Sequence, residues 1–209
     1  MGHRFKALAL AAMLCATAVA QAMTLYDNGP VVGTLGGVDI SLLSTGSFVT
    51  SNPFVPVAGD KLASATVGLW VDRGAKPIGL QWAIGTYAFG SDIGSNAWTL
   101  SSLSLVGTSD RYDIWTASFG LSGVVEAGNT YWLTLYDATS SSGRPVLWDI
   151  RDRDALTAQQ KTPYGLNKTP SNSFVIYGRT PDPVPLPAAA WLLLSGLGAL
   201  GFIGRRRTH

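Results

Sequence analysis

The acidic run over residues 149–154, with the sequence DIRDRD, is the densest group of side chains that could bind a ligand. Its carboxylate oxygens, together with that of Asp137 upstream, are ligands that Ca²⁺ prefers. The spacing matches no calcium-binding loop, and Arg151 and Arg153 can neutralise their neighbours. The pattern therefore favours a solvated turn that pairs its own charges over a structural calcium site, and we predict no metal.

Carboxylates are also the groups that would hydrolyse a glycosidic bond, which needs two of them roughly 5 to 10 Å apart across a cleft. Glu126 is the only glutamate and precedes a predicted turn at residues 127–129, and Asp72 precedes Arg73 and Gly74 in a similar setting. Both positions are typical of charges on surface turns. We predict that the chain is not an enzyme, with a carboxylate-dependent glycoside hydrolase as the distant alternative.

Aromatic residues form a second candidate site. On a strand that starts at Tyr131, alternation places Trp132 and Tyr136 on the same face. If that face is the wetter one, the rings are suited to stacking on sugars, with Trp148 or Trp70 nearby. Trp132, Tyr136 and Trp148 are therefore candidate carbohydrate-binding residues. The alternative is that both faces are buried in a two-layer sandwich and these aromatics belong to its core.

The residue inventory excludes several other chemistries. The sole cysteine is Cys15, and the two histidines are His3 and His209, so residues 23–182 contain neither type. Ser-His-Asp and Cys-His sites, zinc sites built from imidazole or thiolate, and disulfides are excluded there, and no cofactor is expected. The same segment carries ten basic and thirteen acidic groups, a net charge of −3, so nucleic acid is not an expected partner.

The segments that must position these residues read as strands. Between residues 61 and 71 the odd positions from Ala63 to Val71 are apolar, with a period of two. Further strands are predicted at 38–43, 46–50, 80–87, 98–106, 112–121, 131–136, 146–151 and 174–177. Turn residues separate them at 74–77, 90–92, 127–129 and 140–145. We predict an all-β chain with a single, jelly-roll-like β-sandwich over residues 23–179, and one short helix at 154–161.

The N-terminus has the features of a secretory signal peptide over residues 1–22. Arg4 and Lys6 precede an apolar run at 7–20, and Ala20 and Ala22 flank Gln21 in a small-residue cleavage pattern. The mature chain is therefore expected to begin at Met23. An uncleaved N-terminal anchor is the alternative.

The C-terminus joins three features. Residues 180–187 contain four prolines and favour an extended linker. The 17 uncharged residues at 188–204 would form a helix of roughly 25 Å, barely long enough for a membrane core of about 30 Å. Arg205, Arg206 and Arg207 form a basic stop within a cytoplasmic tail at 205–209, which leaves the preceding domain outside. The pattern fits either a plain single-pass anchor or a processed sorting signal.

The whole tail over residues 184–207 resembles the PEP-CTERM sorting signal of Gram-negative bacteria, in a VPLP variant formed by Val184, Pro185, Leu186 and Pro187. Leu186 stands where the commonest motif has glutamate. The resemblance implies recognition by exosortase, an integral-membrane protease. It also implies removal of the helix near the motif and transfer to the cell envelope or extracellular matrix.

The predicted ectodomain is similar to domains that such proteins often carry, through the segments at 24–30, 68–74 and 128–152. This second resemblance implies a β-sandwich in bacteria that make exopolysaccharide and biofilm, and it transfers no catalytic residues. We therefore expect an exported protein of the cell surface, with a structural or carbohydrate-binding role in the matrix and exopolysaccharide as a partner.

Overall fold

The computed structural model describes residues 22–43, 46–98 and 100–179. Residues Gln21–Thr180 form one compact unit. None of the described residues belongs to a helix long and apolar enough to cross a membrane. Except for Ala22, the predicted signal peptide lies outside the described residues, as do the proline-rich linker and motif, the predicted transmembrane helix at 188–204 and the basic tail.

The described residues form seventeen strand segments. They are β1 Met23–Asp27, β2 Gly37–Asp39, β3 Leu42–Leu43, β4 Gly46–Ser47, β5 Val49–Phe54, β6 Asp60–Asp72, β7 Pro77–Gly85, β8 Gly94–Ala97, β9 Leu100–Thr108, β10 Tyr112–Gly120, β11 Val124–Val125, β12 Tyr131–Ser140, β13 Leu147–Asp152, β14 Ala158–Thr162, β15 Gly165–Thr169, β16 Ser171–Asn172 and β17 Phe174–Gly178.

These segments build two large sheets. The nine-stranded sheet has the order β1-β17-β6-β10-β9, with β2, β11, β13 and β16 joined beside this path. The six-stranded sheet has the order β15-β14-β5-β12-β7-β8, and β3 pairs with β4 alone. The fold is therefore all-β and sandwich-like, with a core between the sheets.

The long strand β6 shows why these residues form a sheet. Ala65, Val67, Leu69 and Val71 are fully buried, so the period of two predicted from the sequence places one apolar row in the core. Burying a Val or Leu side chain contributes about 1.5–3 kcal/mol. Because β6 pairs with β10, β11, β13 and β17, it is the central strand of the nine-stranded sheet.

Aromatic side chains from both sheets fill the core. Phe54 of β5 and Phe174 of β17 meet edge to face, with ring centroids 6.2 Å apart. Trp148 packs on Phe174 at 5.7 Å, and Trp82 of β7 is also buried. Contacts of this kind hold the two sheets against each other.

A polar contact inside the core also joins the sheets. Asn52 on β5 and Asn172 on β16 are both fully buried. The Nδ2 of Asn52 donates to Oδ1 of Asn172 at 2.7 Å, and the Nδ2 of Asn172 donates to the Trp148 carbonyl at 3.0 Å. Because a buried amide is costly without such partners, this chain of bonds fixes where the two sheets meet.

Most predicted strands are confirmed. Those at 61–71, 80–87, 98–106, 112–121, 131–136, 146–151 and 174–177 correspond to β6, β7, β9, β10, β12, β13 and β17. The predicted strand at 38–43 is divided between β2 and β3, and the one at 46–50 between β4 and β5. The predicted turns fall between strands except at their ends, where Pro77 begins β7 and Ser140 ends β12. The sequence did not predict β1, β8, β11, β14, β15 or β16.

The predicted helix at 154–161 is wrong. Asp154 lies in a bend, and the segment ends in strand β14. β14 pairs with β15 on one side and with β5 on the other, and Ala158 is fully buried. Pairing with two neighbouring strands outweighs the weak helix preference of Ala, Leu and Gln in this segment.

Candidate functional site

The outer face of the six-stranded sheet carries two of the predicted aromatic residues. Along β12, Tyr131, Leu133 and Leu135 are buried in the core, whereas Trp132 and Tyr136 are only half-buried. Alternation along the strand places Trp132 and Tyr136 on the side away from the core. Each of these two residues is therefore partly open to solvent.

Residues of the adjacent strands surround these two side chains. Trp132 is in register with Pro53 of β5 and Gly85 of β7, and Tyr136 is in register with Gln81 of β7. Four residues along a strand span about 13 Å, so the two rings are too far apart for one sugar-sized group to cover both.

The loop of residues 86–92, between β7 and β8, lies across this face. Thr86 donates through its N–H at 3.1 Å and its Oγ1 at 2.9 Å to the two carboxylate oxygens of Asp92. The side-chain bond and then the backbone bond lower the pKa of Asp92. The N–H of Phe89 donates to Ser51 Oγ at 3.2 Å and so attaches the loop to β5.

The loop is strained and closely packed. Phe89 has a φ of 64°, a conformation that bulky residues rarely adopt and that is often found at binding sites. A Cβ atom at Gly85 would lie 2.5 Å from the carbonyl carbon of Gly90. The absence of a side chain at Gly85 is therefore what lets the loop approach the sheet.

The loop covers the middle of the face. Ser51 and Thr134 are buried and hydrogen-bonded to each other at 3.0 Å, and Ser51 also receives the bond from Phe89. Thr134 lies between Trp132 and Tyr136 on β12. The aromatic face therefore consists of two patches on either side of the 86–92 loop, whose role was missed because only residues 90–92 gave a turn signal in the sequence.

Asp137 follows Tyr136 in the chain and affects the pKa of its hydroxyl. It has a φ of 51° where the pairing of β12 with β7 shifts register. Its carboxylate accepts hydrogen bonds from Ser47 Oγ at 2.5 Å and from Gln81 Nε2 at 3.3 Å. Burial and, to a smaller extent, the charge of Asp137 raise the pKa of Tyr136, so its hydroxyl stays protonated and able to donate.

The proposed carbohydrate-binding role of Trp148 is wrong, because its side chain is fully buried. Its Nε1 donates to the Ser173 carbonyl at 2.9 Å inside the core. Trp70 is also buried, and its Nε1 donates to Asp149 Oδ1 at 2.7 Å. Neither ring presents a face on which a sugar could stack.

Asp149 is a fully buried carboxylate rather than part of a solvated turn. Its Oδ1 accepts from Trp70 Nε1 and from the Gly33 N–H at 3.2 Å, and its Oδ2 accepts from the Val32 N–H and Ser173 Oγ, both at 2.9 Å. Four donors satisfy the charge and anchor the loop between β1 and β2 onto the nine-stranded sheet.

The prediction that residues 149–154 form a solvated turn that pairs its own charges is therefore wrong. Residues 149–152 belong to β13, and Arg153 Nε donates to the Leu35 carbonyl at 3.0 Å instead of to a neighbouring aspartate. Among the described residues, no group of three or more acidic, histidine or cysteine side chains is placed to hold a metal ion.

Glu126 and Asp72 do not face each other. Glu126 is exposed, and its Oε2 accepts from Asn129 Nδ2 at 3.1 Å within the turn. Its neighbour Val125 pairs with Asp60 at the start of β6, whereas Asp72 ends the same strand twelve residues later. That separation is about 40 Å along a strand, too far for two groups acting on one glycosidic bond.

The predicted sorting and cleavage residues lie outside the described residues, with Ala22 as the exception. They are Ala20, Val184, Pro185, Leu186, Pro187, Arg205, Arg206 and Arg207. Ala22 is exposed and directly precedes β1.

Comparison with protein-family models identifies the tail. Residues 183–207 match the PEP-CTERM protein-sorting motif, which confirms the resemblance seen in the sequence. The motif supports an exported, envelope-associated protein of Gram-negative bacteria and implies processing by exosortase, a membrane protease. No curated protein and no solved structure matches the chain.

Proposed function

We propose that this chain is a component of the exopolysaccharide matrix at the cell surface, where the outer face of its six-stranded sheet binds carbohydrate. The observation that carries the proposal is the partial exposure of Trp132 and Tyr136 on that face. The PEP-CTERM match supports delivery to the envelope, where exopolysaccharide is available as a ligand.

Stacking is the physical basis of the proposed binding. An aromatic ring that is packed on one side and open on the other offers a sugar a rigid apolar surface at little cost in side-chain entropy. Tyr136 adds a hydroxyl donor, and Asp137 beside it adds carboxylate acceptors. The 86–92 loop would lie between two bound sugar residues and limit which linkages fit.

A jelly-roll interpretation of the fold is part of the proposal. The paths β1-β17-β6-β10 and β5-β12-β7-β8 give two four-stranded layers within the larger sheets, an order consistent with a jelly roll. Jelly rolls include lectin domains. This analogy adds plausibility to carbohydrate binding, but the aromatic residues carry the functional argument.

Affinity electrophoresis in gels that contain the host's exopolysaccharide tests the aromatic face. We expect Trp132→Ala and Tyr136→Ala to reduce retardation, with dissociation constants rising about three- to tenfold for the loss of one stacking ring. Tyr164→Ala is the matched control, because Tyr164 is 85% exposed in the turn between β14 and β15. Wild-type retardation of both aromatic-face variants would leave a structural role without carbohydrate binding.

Mass spectrometry of the C-terminal peptide tests the sorting step on protein recovered from the host surface. A terminus near Pro187 with an added mass is expected, and the mass would identify the acceptor. An intact chain through His209 would instead favour the alternative of a plain single-pass membrane anchor.

The distant alternative of a glycoside hydrolase centres on Glu126. Asp60 pairs with the adjacent Val125, and its Oδ2 is buried without a hydrogen-bond partner among the described residues. Hydrolysis of host polysaccharide that is lost in Glu126→Gln would support this alternative, and we expect no such activity.

A further inference from the structure

A polar pocket of about 540 Å³ lies beside the C-terminal end of β1, away from the aromatic face. Its walls are formed by β1 and the loop that follows it, by β13 and by β16. These three strands belong to the nine-stranded sheet. The volume lies within the range of about 300–1,000 Å³ that is usual for small-molecule sites.

Arg151 lies on one wall of this pocket, close against Gly29. Gly29 has a φ of 87°, and a Cβ atom there would lie 2.9 Å from both Cδ and Cζ of Arg151. The arginine side chain therefore lies directly across the glycine. Within the described part of the chain its guanidinium forms no ion pair, so its donors point to solvent or to a ligand.

The floor of the pocket is built from buried polar groups. Ser171 is only 6% exposed, and its Oγ accepts a hydrogen bond from Asn28 Nδ2 at 2.7 Å. The same Nδ2 donates to the Asn172 carbonyl at 2.6 Å, and the Asn28 Oδ1 accepts from Tyr26 at 3.2 Å. Because Asn28 is fixed in this way, the hydroxyl proton of Ser171 is left to donate to a ligand.

Two carboxylates complete the wall. Asp27 Oδ1 accepts from the Gly29 N–H at 2.7 Å, and Asp152 Oδ1 accepts from the Asp154 N–H at 2.9 Å. Each carboxylate keeps an oxygen that can accept from a ligand. With Arg151 the pocket has a net charge of −1, so it offers no strong attraction for an anion.

We propose that this pocket is a second carbohydrate site, which takes a neutral sugar residue. A sugar hydroxyl both donates and accepts, and it fits a wall that alternates carboxylate acceptors with guanidinium and hydroxyl donors. An acidic sugar would be repelled by Asp27 and Asp152. A cationic group gains from the net charge of −1 but, because it only donates hydrogen bonds, it leaves the donors of Arg151 and Ser171 without partners.

This inference goes beyond the proposed function, because the pocket serves the nine-stranded sheet and the aromatic face belongs to the six-stranded sheet. One domain with two separate sites would link two polysaccharide chains, and two-point attachment strengthens binding without any new contact. A cross-linking role in the matrix follows from the pocket and the aromatic face together.

Binding of three soluble probes to the purified full-length chain in detergent micelles tests the pocket. The probes are a neutral cello-oligosaccharide, an anionic oligogalacturonate and a cationic chitosan oligosaccharide, followed by saturation-transfer NMR and titration. We expect the neutral probe to bind best. Arg151→Ala should lower the affinity for this probe about fivefold to tenfold through the loss of charge-assisted hydrogen bonds.

Arg153→Ala is the matched control, since Arg153 is an exposed arginine of the same segment that donates to Leu35 and does not line the pocket. Ser171→Ala should also weaken binding of the neutral probe. Trp132→Ala should leave intact the part of this binding that depends on Arg151. Equal effects of the two arginine variants would overturn the proposal, as would preference for a charged probe or binding of none. If Arg151→Ala weakens binding of the neutral probe and Trp132→Ala does not, the pocket is supported as a carbohydrate site and the aromatic face is not.

Discussion

Asp149 shows how one buried charge organises this fold. It accepts four hydrogen bonds, two of them from the backbone of the loop between β1 and β2. A Cβ atom at Gly68 would lie 2.8 Å from both Asp149 Cβ and the methyl groups of Val31. The carboxylate, the loop and the sheet surface are therefore packed as a unit, and each depends on the others.

Substituting Asp149→Asn should destabilise the chain, because the amide replaces one of the two acceptor oxygens with an NH2 group that faces two of the four donors bound by Asp149. The expected loss is about 2–4 kcal/mol of unfolding free energy. Urea denaturation of the full-length chain measures it. Asp152→Asn, an exposed change in the same strand, is the control and should stay within about 0.5 kcal/mol of wild type. A similar loss in both variants would mean that the buried bonds at Asp149 are not the cause.

Tyr136 gives a prediction at alkaline pH. Its raised pKa means that the folded chain holds the phenol proton to a higher pH than the unfolded chain does. The associated stability is fully present below the ordinary tyrosine pKa of about 10 and is lost as the pH rises through the folded value. Wild type should therefore lose stability relative to Tyr136→Phe above about pH 10.

Ultraviolet titration of tyrosinate checks the Tyr136 assignment by the difference between wild type and Tyr136→Phe. Burial is the larger cause of the shift, so Asp137→Asn should lower the pKa only part of the way back. A complete return in Asp137→Asn would show that the charge, and not burial, dominates.

At the scale of elements, strands with a clear period of two were predictable and paired segments without it were not. In β6 the apolar row is visible in the sequence because one face meets the core along the whole strand. β14 and β15 lack that row. Gln159, Gln160 and Lys161 sit on an edge hairpin whose pairing with β5 is decided by distant residues. The error at 154–161 follows from this difference.

The 86–92 loop yields a prediction at Gly85. Gly85→Ala should lift the loop from the sheet, since the new Cβ would meet the Gly90 backbone, at a cost of about 1–3 kcal/mol. Hydrogen exchange should then accelerate at the Phe89 amide, which loses its bond to Ser51. Gly120→Ala is the matched control, because that strand glycine has nothing within 4 Å of the added atom. Unchanged exchange at Phe89 in Gly85→Ala would contradict the close contact.

At the scale of the whole molecule, the first strand depends on the last. β17 lies between β1 and β6, and the Met23 to Gly178 pairing brings the two ends of the described unit together. β1 pairs with no other strand in the described sheet order. The nine-stranded sheet is therefore complete only when the chain up to Gly178 is present.

Truncation tests this dependence. A chain that ends after Ser173 should lose cooperative unfolding, since β1 and one edge of β6 lose their partner and Phe174 leaves the core. A chain that ends after Arg179 keeps β17 and should unfold in a single transition. Near-UV circular dichroism and urea denaturation compare the two. Cooperative unfolding of the shorter chain would show that β17 is dispensable.

The all-β class, the positions of most long strands and the PEP-CTERM tail can be predicted from the amino-acid sequence, because each depends on a local pattern of residues. The accessibility of each aromatic residue depends instead on how the sheets and loops pack, which no local pattern shows. Trp132 and Trp148 lie on β12 and β13, which follow each other in the chain but belong to different sheets, yet one is half-buried and the other fully enclosed, since burial depends on what covers a face. The tertiary structure also made Asp149 a buried anchor and placed Arg151 in a pocket, through contacts with residues more than a hundred positions away.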